Sequence, residues 1–151
     1  TTKGKQKMYV KMNLMVKEPA TNNLLAMPED IFSYCQDMKS LAQESVHVLT
    51  LDMKLKLINR HMVSLGLLNS SLLHPREVFR PAIKDAAASI ILVHNHPSGD
   101  STPSDEDIQL TRRFVLAGDL VGINLLDHII IGDDYHSIRR SGAVDFSEKY
   151  V

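Results

Sequence analysis

The stretch that most constrains the fold runs from Ser89 to Asp107 and reads SIILVHNHPSGDSTPSDED. Its first residues, SIILV, are small and apolar, which is typical of a strand buried in a sheet. Pro97, Gly99 and Pro103 then force the chain out of regular structure directly after this strand. The sequence therefore predicts a buried central strand that ends abruptly in a loop.

Two histidines mark the end of this strand. His94 and His96 are separated by a single residue, and side chains two positions apart in a strand point to the same face. Asp107 follows where a helix is expected to begin. Two imidazoles and a carboxylate are suitable zinc ligands, and three protein ligands leave the fourth tetrahedral position to water. The spacing thus indicates an open zinc site formed by His94, His96 and Asp107.

The start of the following helix offers a second interpretation of the same residues. Ser104 and Asp107 form a Ser-x-x-Asp pattern before the apolar residues of a helix, which resembles a capping box, although Glu or Gln is the usual fourth residue. Asp105 and Glu106 would then favour the positive end of the helix dipole. The residues by themselves leave a metal site and a capped helix as open alternatives of similar weight.

The pattern resembles a known signature. His94, His96, Ser104 and Asp107 match the JAMM (MPN-type) metalloprotease motif without a gap, with seven residues between His96 and Ser104 and two before Asp107. The longer string HNHPSGDSTPS is similar to the RadC subgroup of that family, once named as DNA-repair proteins. The similarity extends from about Met8 to Gly142, through SLLHPREVF and LLDHIIIG. It implies either a short member of the family or its catalytic domain alone.

The resemblance implies a zinc-dependent hydrolase, a metallopeptidase or isopeptidase that cleaves an amide bond in a peptide or other amide substrate. In that family a glutamate upstream of the histidines, at the start of a strand, accepts the proton of the metal-bound water. Glu44 matches by position, although nothing intrinsic separates it from Glu29 or Glu77. Ser104 would donate a hydrogen bond to the oxyanion, a role expected to compete with helix capping for one hydroxyl.

Hydrophobic periodicity predicts an α/β domain with a mixed sheet flanked by helices. The resemblance further implies the cytidine-deaminase-like sandwich of JAMM/MPN domains. Residues 8–151 are expected to form this single domain, after a frayed terminus at 1–7. The predicted strands are Met8–Val16, Val46–Asp52, Leu57–Leu67, Ser89–Val93, Gly122–Ile131 and Tyr135–Ile138. The predicted helices are Pro28–Leu41, His74–Ala88 with Val78, Ala82, Ile83 and Ala86 facing inward, and Ser104–Ala117 ended by Gly118.

Composition bears on the competing functions. A net charge of −1 predicts no broad field that attracts polyanions, and aromatic residues make up only 5% of the chain, so specific nucleic-acid binding is not expected. The runner-up function is nevertheless a DNA-repair-associated or DNA-binding protein, as the old family name suggests. A metal-free scaffold is a third possibility, but such MPN domains typically lack the His-x-His and Asp that this sequence retains.

The remaining polar and sulfur-containing residues receive simpler interpretations. Cys35 is the only cysteine and is expected to be a small core residue. His128 is predicted to lie in the core or beside the metal ligands, whereas His47 and His61 sit in strands without a second ligand at suitable spacing. No apolar run approaches the roughly 18 residues needed to span a bilayer, and no signal-peptide-like segment begins the chain, so a cytoplasmic location is expected.

Overall fold

The fold is described from a computed structural model of the chain, which describes residues 24–66 and 73–151. The strand predicted at Met8–Val16 and the frayed terminus predicted at 1–7 lie outside these residues. The helices are α1 (Pro28–Tyr34), a 3₁₀ helix (Gln36–Ser40), α2 (Pro75–Lys84), α3 (Asp105–Val121) and α4 (Ile138–Ser141). The strands are β1 (Ser45–Leu51), β2 (Leu57–Leu65), β3 (Ser89–Asn95), β4 (Asn124–Ile131) and β5 (Tyr135–Ser137).

The described strands form one five-stranded sheet in the order β2-β1-β3-β4-β5. Strands β1 and β2 are an antiparallel hairpin, and β1 also pairs antiparallel with β3. The β3–β4 pair is parallel, so the chain must cross over between them, and α3 provides that crossover. The β4–β5 pair is antiparallel again. The predicted mixed sheet is confirmed.

Both faces of the sheet are covered. Side chains alternate along β3, so that Ile90 and Leu92 pack into one buried cluster while Ile91 and Val93 pack into another. The first cluster contains Val78 of α2 and Phe114 of α3, and the second contains residues of α1 and the 3₁₀ helix. Cys35 lies in the second cluster with no exposed surface, as predicted. We refer to the two sides as the α3 face and the α1 face.

Helix α3 is longer than predicted, because Gly118 lies inside it rather than ending it. A Cβ at Gly118 would lie 2.5 Å from the carbonyl oxygen of Ile123, so this glycine permits close approach of the chain that leads into β4. The helix ends instead at Gly122, whose φ of 77° is the left-handed conformation typical of a glycine cap. The following strand accordingly begins at Asn124 instead of Gly122.

Helix α2 is shorter than predicted and ends at Lys84 instead of Ala88. Val78 and Ala82 face the core as expected, but Ile83 and Ala86 are exposed. Ala86 adopts a φ of 53°, which turns the chain out of the helix and into β3. The predicted helix Pro28–Leu41 is likewise divided at Cys35 into α1 and the 3₁₀ helix. Among the described residues, no helix combines the length and apolarity needed to cross a membrane.

Candidate metal centre

The end of β3 brings the two predicted histidines together. His94 lies opposite Val46 of β1 in the antiparallel ladder, and its side chain is on the α3 face. His96 follows directly after the strand, where its backbone N–H donates to the carbonyl of Ile131 at 2.8 Å. The two imidazole rings are 4.9 Å apart between centroids and mutually perpendicular. The expectation that they share one face is therefore confirmed.

The loop after β3 orients His96. Its Nδ1 lies 2.8 Å from the carbonyl oxygen of Asp100, and because a carbonyl can only accept, Nδ1 carries a proton. The Nε2 atom of the same ring points to Asp107. A crossing contact holds this loop in place, since the N–H of Asp133 donates to the carbonyl of Gly99 at 2.7 Å. A Cβ at Gly132 would collide with the Gly99 carbonyl oxygen, so the crossing requires glycine at position 132.

The start of α3 fixes the carboxylate. Ser104 Oγ accepts a hydrogen bond from the N–H of Asp107 at 3.1 Å, and Asp107 Oδ2 accepts from the N–H of Ser104 at 2.9 Å. This is a reciprocal capping box with Asp as its fourth residue. The same carboxylate reaches both imidazoles, with 3.2 Å to His94 Nδ1 and 3.1 Å to His96 Nε2. The capping and metal interpretations are thus compatible, because one box positions the carboxylate for both.

Electrostatics keep this carboxylate ionised. Burial of Asp107, which is 2% exposed, would by itself raise its pKa. Its contacts with His94 and His96 outweigh that effect and hold the pKa well below its usual range. The same contact with Asp107 raises the pKa of His96. A charged carboxylate beside two imidazoles is the protonation state and donor set that a divalent cation requires once it displaces the imidazole proton.

The distances are compatible with a divalent cation at this cluster. Neighbouring ligand atoms of a tetrahedral zinc ion, for example, lie about 3.4 Å apart, given bond lengths of roughly 2.0–2.2 Å. The Asp107 carboxylate lies 3.2 Å from His94 Nδ1 and 3.1 Å from His96 Nε2, whereas Glu44 Oε1 lies 3.5 Å from the other ring nitrogen of His94, Nε2. One ion can bind only one nitrogen of His94, so the contacts with Asp107 and Glu44 are alternatives for that ring. Among the described residues, the buried His94 Nδ1 has no hydrogen-bond partner, which is consistent with a metal site.

Glu44 completes the cluster from the neighbouring strand. It directly precedes β1, and the antiparallel pairing of β1 with β3 brings it beside the histidines. One ligand atom each from Glu44, His94 and His96 lie within 4.8 Å of one another. Glu29 is paired instead with Arg140 at 2.7 Å, and Glu77 lies in the first turn of α2. The structure thus separates three acids that sequence alone could not distinguish.

The four groups border an open cleft of about 660 Å³. Its apolar wall is formed by Val46, Leu73 and Leu110, all of which are buried. Glu44 and Glu106 add carboxylates to the lining, and none of the described lining residues is Lys or Arg. The cleft is therefore apolar and acidic.

Two polar residues near the histidines were not singled out as functional from the sequence. Asn95 is 1% exposed on the α1 face and hydrogen-bonds to the segment around Glu44. Thr111 Oγ1 lies 2.6 Å from Nδ1 of His128, whose ring is 6.0 Å from that of His94. His128 is fully buried, which confirms that it lies in the core, and its ring is next to that of the candidate ligand His94. Asn95 carried one signal, a polar residue placed between two candidate ligands in a buried strand.

The histidines of the hairpin lie outside the cluster, as expected. His61 Nε2 is 2.6 Å from Asp85. His47 lies on the α1 face, where its ring contacts Ser45 and Arg60. Burial, reinforced by the charge of Arg60, lowers the pKa of His47 to about 4. This ring is therefore neutral in the folded protein at neutral pH.

The lowered pKa of His47 predicts a loss of stability in acid. The unfolded chain binds a proton at this ring below about pH 6.5, whereas the folded chain does so only near pH 4. The free energy of unfolding is therefore expected to fall by about 1.4 kcal/mol per pH unit across that range. The raised pKa of His96 does not change the slope in this range, because His96 is protonated in both the folded and the unfolded chain below about pH 6.5. Urea denaturation of chelator-treated protein between about pH 4 and 6.5 measures how the free energy of unfolding depends on pH. His47→Gln is expected to reduce this slope by about 1.4 kcal/mol per pH unit. An unchanged slope in the variant would contradict the prediction.

Comparison with known proteins places this site in a family. The sequence model of the RadC-like JAB domain matches residues 25–143. A UPF0758 protein of Caldanaerobacter subterraneus subsp. tengcongensis is 47% identical over 135 residues, which cover 88% of this chain and 58% of the relative. A UPF0758 protein of Geobacillus thermodenitrificans is 50% identical over 123 residues, with 80% and 54% coverage. A third, of Bacillus velezensis, is 50% identical over 121 residues, with 79% and 52% coverage.

The chain spans somewhat more than half the length of these relatives. Their names state no activity. The matched region contains the whole five-stranded sheet and all four clustered side chains. The mixed sheet flanked by helices is the α/β architecture expected of a JAB/MPN-type fold. This chain accordingly belongs to the RadC family and carries its JAB/MPN-type domain.

Proposed function

We propose that this domain is a zinc-dependent hydrolase of the JAMM type that cleaves an amide bond, as a metallopeptidase or isopeptidase. One observation carries the proposal: two histidines and two carboxylates from three separate elements converge at the edge of an open cleft. A purely structural metal site has no need of a second carboxylate that borders such a cleft. The preference for zinc rests on the mixed imidazole and carboxylate donor set.

The two carboxylates are assigned different roles from their surroundings. Asp107 is 2% exposed, is held by the capping box, and contacts both imidazoles through different oxygens. Glu44 lies 3.5 Å from His94 and within 4.8 Å of a ring nitrogen of His96, and its side chain is 21% exposed at the cleft. A ligand must be fixed and desolvated, whereas a base must meet water and substrate. His94, His96 and Asp107 are therefore proposed as the metal ligands and Glu44 as the general base.

Each side chain is then assigned a separate role in hydrolysis. Zinc bound at this site would lower the pKa of a coordinated water to about 7. Glu44 accepts the proton of the attacking water and delivers it to the departing nitrogen. Ser104 lines the same cleft. Because its cap uses an oxygen lone pair, its hydroxyl proton remains available for the oxyanion. We therefore propose that one hydroxyl can fill both roles of Ser104, the oxygen as helix cap and the proton as oxyanion donor.

Replacing Ser104 by Ala tests both roles. The variant is expected to lose roughly 0.5–2 kcal/mol of stability with its helix cap and about 10²–10³ in hydrolytic rate with the oxyanion donor. Thermal denaturation and a hydrolysis assay measure the two losses. Ser98→Ala is a matched control, because Ser98 also lines the cleft but does not cap a helix. A Ser104→Ala variant that is destabilised yet fully active would show that Ser104 only caps α3.

The lining of the cleft suggests a class of substrate. Val46, Leu73 and Leu110 favour an apolar side chain next to the cleaved bond, and the carboxylates of Glu44 and Glu106 favour neutral or basic neighbours. The same carboxylates would repel phosphates, which argues against nucleic acid as the occupant of this cleft. We propose a peptide or isopeptide with an apolar residue at the scissile position as the substrate class.

A cleavage screen tests the proposed function. Zinc-loaded protein is incubated with a mixed-sequence peptide library, and mass spectrometry identifies new termini. Cleavage is expected beside apolar residues, with loss on treatment with chelator and recovery when zinc is returned. Peptides rich in Asp and Glu are expected to resist cleavage. A zinc-loaded wild type that yields no new termini beyond those of the chelator-treated protein would exclude peptidase activity on these sequences.

A further inference from the structure

Strand alternation places the neighbours of Glu44 on the side of the sheet away from the cleft. Val46 packs with the α3 cluster, and Glu44, two residues earlier, points to the same face and reaches His94. Ser45 therefore points to the α1 face, where Asn95 of β3 also lies. Side chains on the α1 face can therefore contact the backbone next to Glu44 without entering the cleft.

The side chain of Asn95 hydrogen-bonds to the backbone of this segment where the β1–β3 ladder ends. The last paired residues of β1 and β3 are Val46 and His94. Beyond them, Asn95 Oδ1 accepts from the N–H of Ser45 at 2.7 Å, and Asn95 Nδ2 donates to the carbonyl of Gln43 at 3.0 Å. The carbonyl of Glu44 itself accepts from the N–H of Gly66 at 2.7 Å. Three consecutive residues centred on Glu44 are therefore tied to distant parts of the chain.

The hydrogen bonds of Asn95 continue through further side chains to Asp37, and they fix the position of the proton on His47. Asn95 Oδ1 accepts the hydroxyl proton of Ser45 at 2.9 Å, so the 3.1 Å contact of Ser45 Oγ with His47 Nε2 requires a proton on that nitrogen. His47 Nδ1 then has a free lone pair, which accepts from Arg60 Nε at 3.0 Å. Arg60 donates two further hydrogen bonds, at 3.0 and 2.8 Å, to Asp37. One tautomer of His47 satisfies every donor and acceptor along the way.

The inner part of this arrangement is buried, since Ser45 and Asn95 are 1% exposed and His47 is 8% exposed. Its outer end reaches solvent, because the side chains of Arg60 and Asp37 are 16% and 62% exposed. An imidazole with Nδ1 protonated would face the Arg60 N–H with another N–H and offer a lone pair to a hydroxyl whose proton is already donated. Loss of such buried hydrogen bonds is costly, because the groups left behind cannot reach water. The chain of contacts therefore favours one position of the strand before β1.

We propose that Asn95 and His47 are positioning residues for Glu44, acting through the hydrogen-bonded series Asp37, Arg60, His47, Ser45 and Asn95, here called the polar chain. The inference rests on the proposed function, since it gives Glu44 the role of base. A proton acceptor must lie within hydrogen-bond reach of the water it activates. A displacement of 1 Å can cost about 10²-fold in rate. The polar chain restrains the backbone on either side of Glu44 without entering the cleft.

The tautomer of His47 tests the polar chain without reference to activity. Nitrogen-15 NMR of the full chain, treated with chelator, distinguishes the two neutral tautomers of each histidine. We expect His47 to carry its proton on Nε2 in the wild type, and to lose this preference in Asn95→Leu, which can no longer accept the Ser45 hydroxyl proton. Asn95→Asp keeps that acceptor and is expected to keep the tautomer, but its second carboxylate oxygen replaces the amide N–H that faces the Gln43 carbonyl. A predominant Nδ1–H tautomer in the wild type would overturn the inference.

Kinetics test the consequence for Glu44. Using the peptide that the zinc-loaded wild type cleaves fastest, Asn95→Asp and His47→Phe are expected to lower kcat by about tenfold to 10²-fold, with KM and zinc content unchanged. His47→Gln, which supplies both an N–H and an acceptor, is expected to restore most of the rate. His61→Phe is the matched control, because His61 lies in the same hairpin but pairs with Asp85.

The possible outcomes distinguish the positioning role of the polar chain from the role of Glu44 as the base. Wild-type kcat in both Asn95→Asp and His47→Phe would overturn the positioning role even with the expected tautomer. A proportionate fall in stability with no change in kcat would mean that the polar chain only supports the fold. An active Glu44→Gln variant would overturn the base assignment and with it the functional consequence. In that case the His47 tautomer would still report whether the polar chain exists.

Discussion

Replacing Glu44 by Gln is expected to lower the rate of amide hydrolysis by roughly 10²–10⁴, the usual contribution of a positioned general base. Gln keeps the shape of the side chain but cannot accept and pass on a proton in the same way. The fold should be unaffected, because Gln has nearly the same shape as Glu and the polar contact that changes is the 3.5 Å approach of Glu44 to His94. The measurement is kcat on the best library peptide, together with zinc content and thermal stability.

A matched acid makes this result interpretable. Glu77 lies in the first turn of α2, and its side chain is 47% exposed beside Arg76. Glu77→Gln removes the same charge from a surface outside the cleft and should leave kcat unchanged. If Glu44→Gln instead lost its zinc, Glu44 would be a metal ligand, and the division of roles between Glu44 and Asp107 would be wrong. Full activity with zinc retained would leave the proposed peptidase without its base.

The sequence was most informative where the relevant contacts are local. His94 and His96 share a face because of strand alternation, and Ser104 and Asp107 meet within one turn of α3, so both pairs could be predicted from spacing. The capping box was also visible, but its agreement with the metal site was not. That agreement depends on the loop after β3, which turns His96 toward the helix start. Local patterns do not specify the direction of such a loop.

Contacts between distant segments were beyond pattern reasoning. Glu44 reaches His94 because β1 pairs with β3, and the sequence around Glu44 does not predict that pairing. The sequence places Asn95 within a motif, but its hydrogen bonds to Gln43 and Ser45 bridge about fifty residues of sequence. The sequence predicts a helix end at Gly118, because glycine commonly follows one. Its actual reason, close approach to the Ile123 carbonyl, exists only in the folded chain.

The metal ligands carry the second large effect. We expect about one zinc per wild-type chain and essentially none in the His94→Ala, His96→Ala double variant, because three ligands are reduced to one. Asp107→Asn should weaken zinc binding by at least about 10²-fold, more than the loss typical of an outer partner. The neutral amide removes the charge that both imidazoles contact. Glu44→Gln, in contrast, should retain near wild-type affinity.

Competition with a chromophoric chelator near neutral pH measures these affinities, since protonation of the ligands in acid would itself release the metal. The double variant His61→Ala, His74→Ala removes the same number of histidines from positions outside the site and controls for adventitious binding. Equal zinc in the wild type and the His94, His96 variant would refute the site. Because Asp107 also closes the capping box, Asp107→Asn is expected to be less stable as well as weaker in zinc binding. Glu44→Gln should change neither property, and this contrast distinguishes a ligand built into the helix start from a base that only borders the metal.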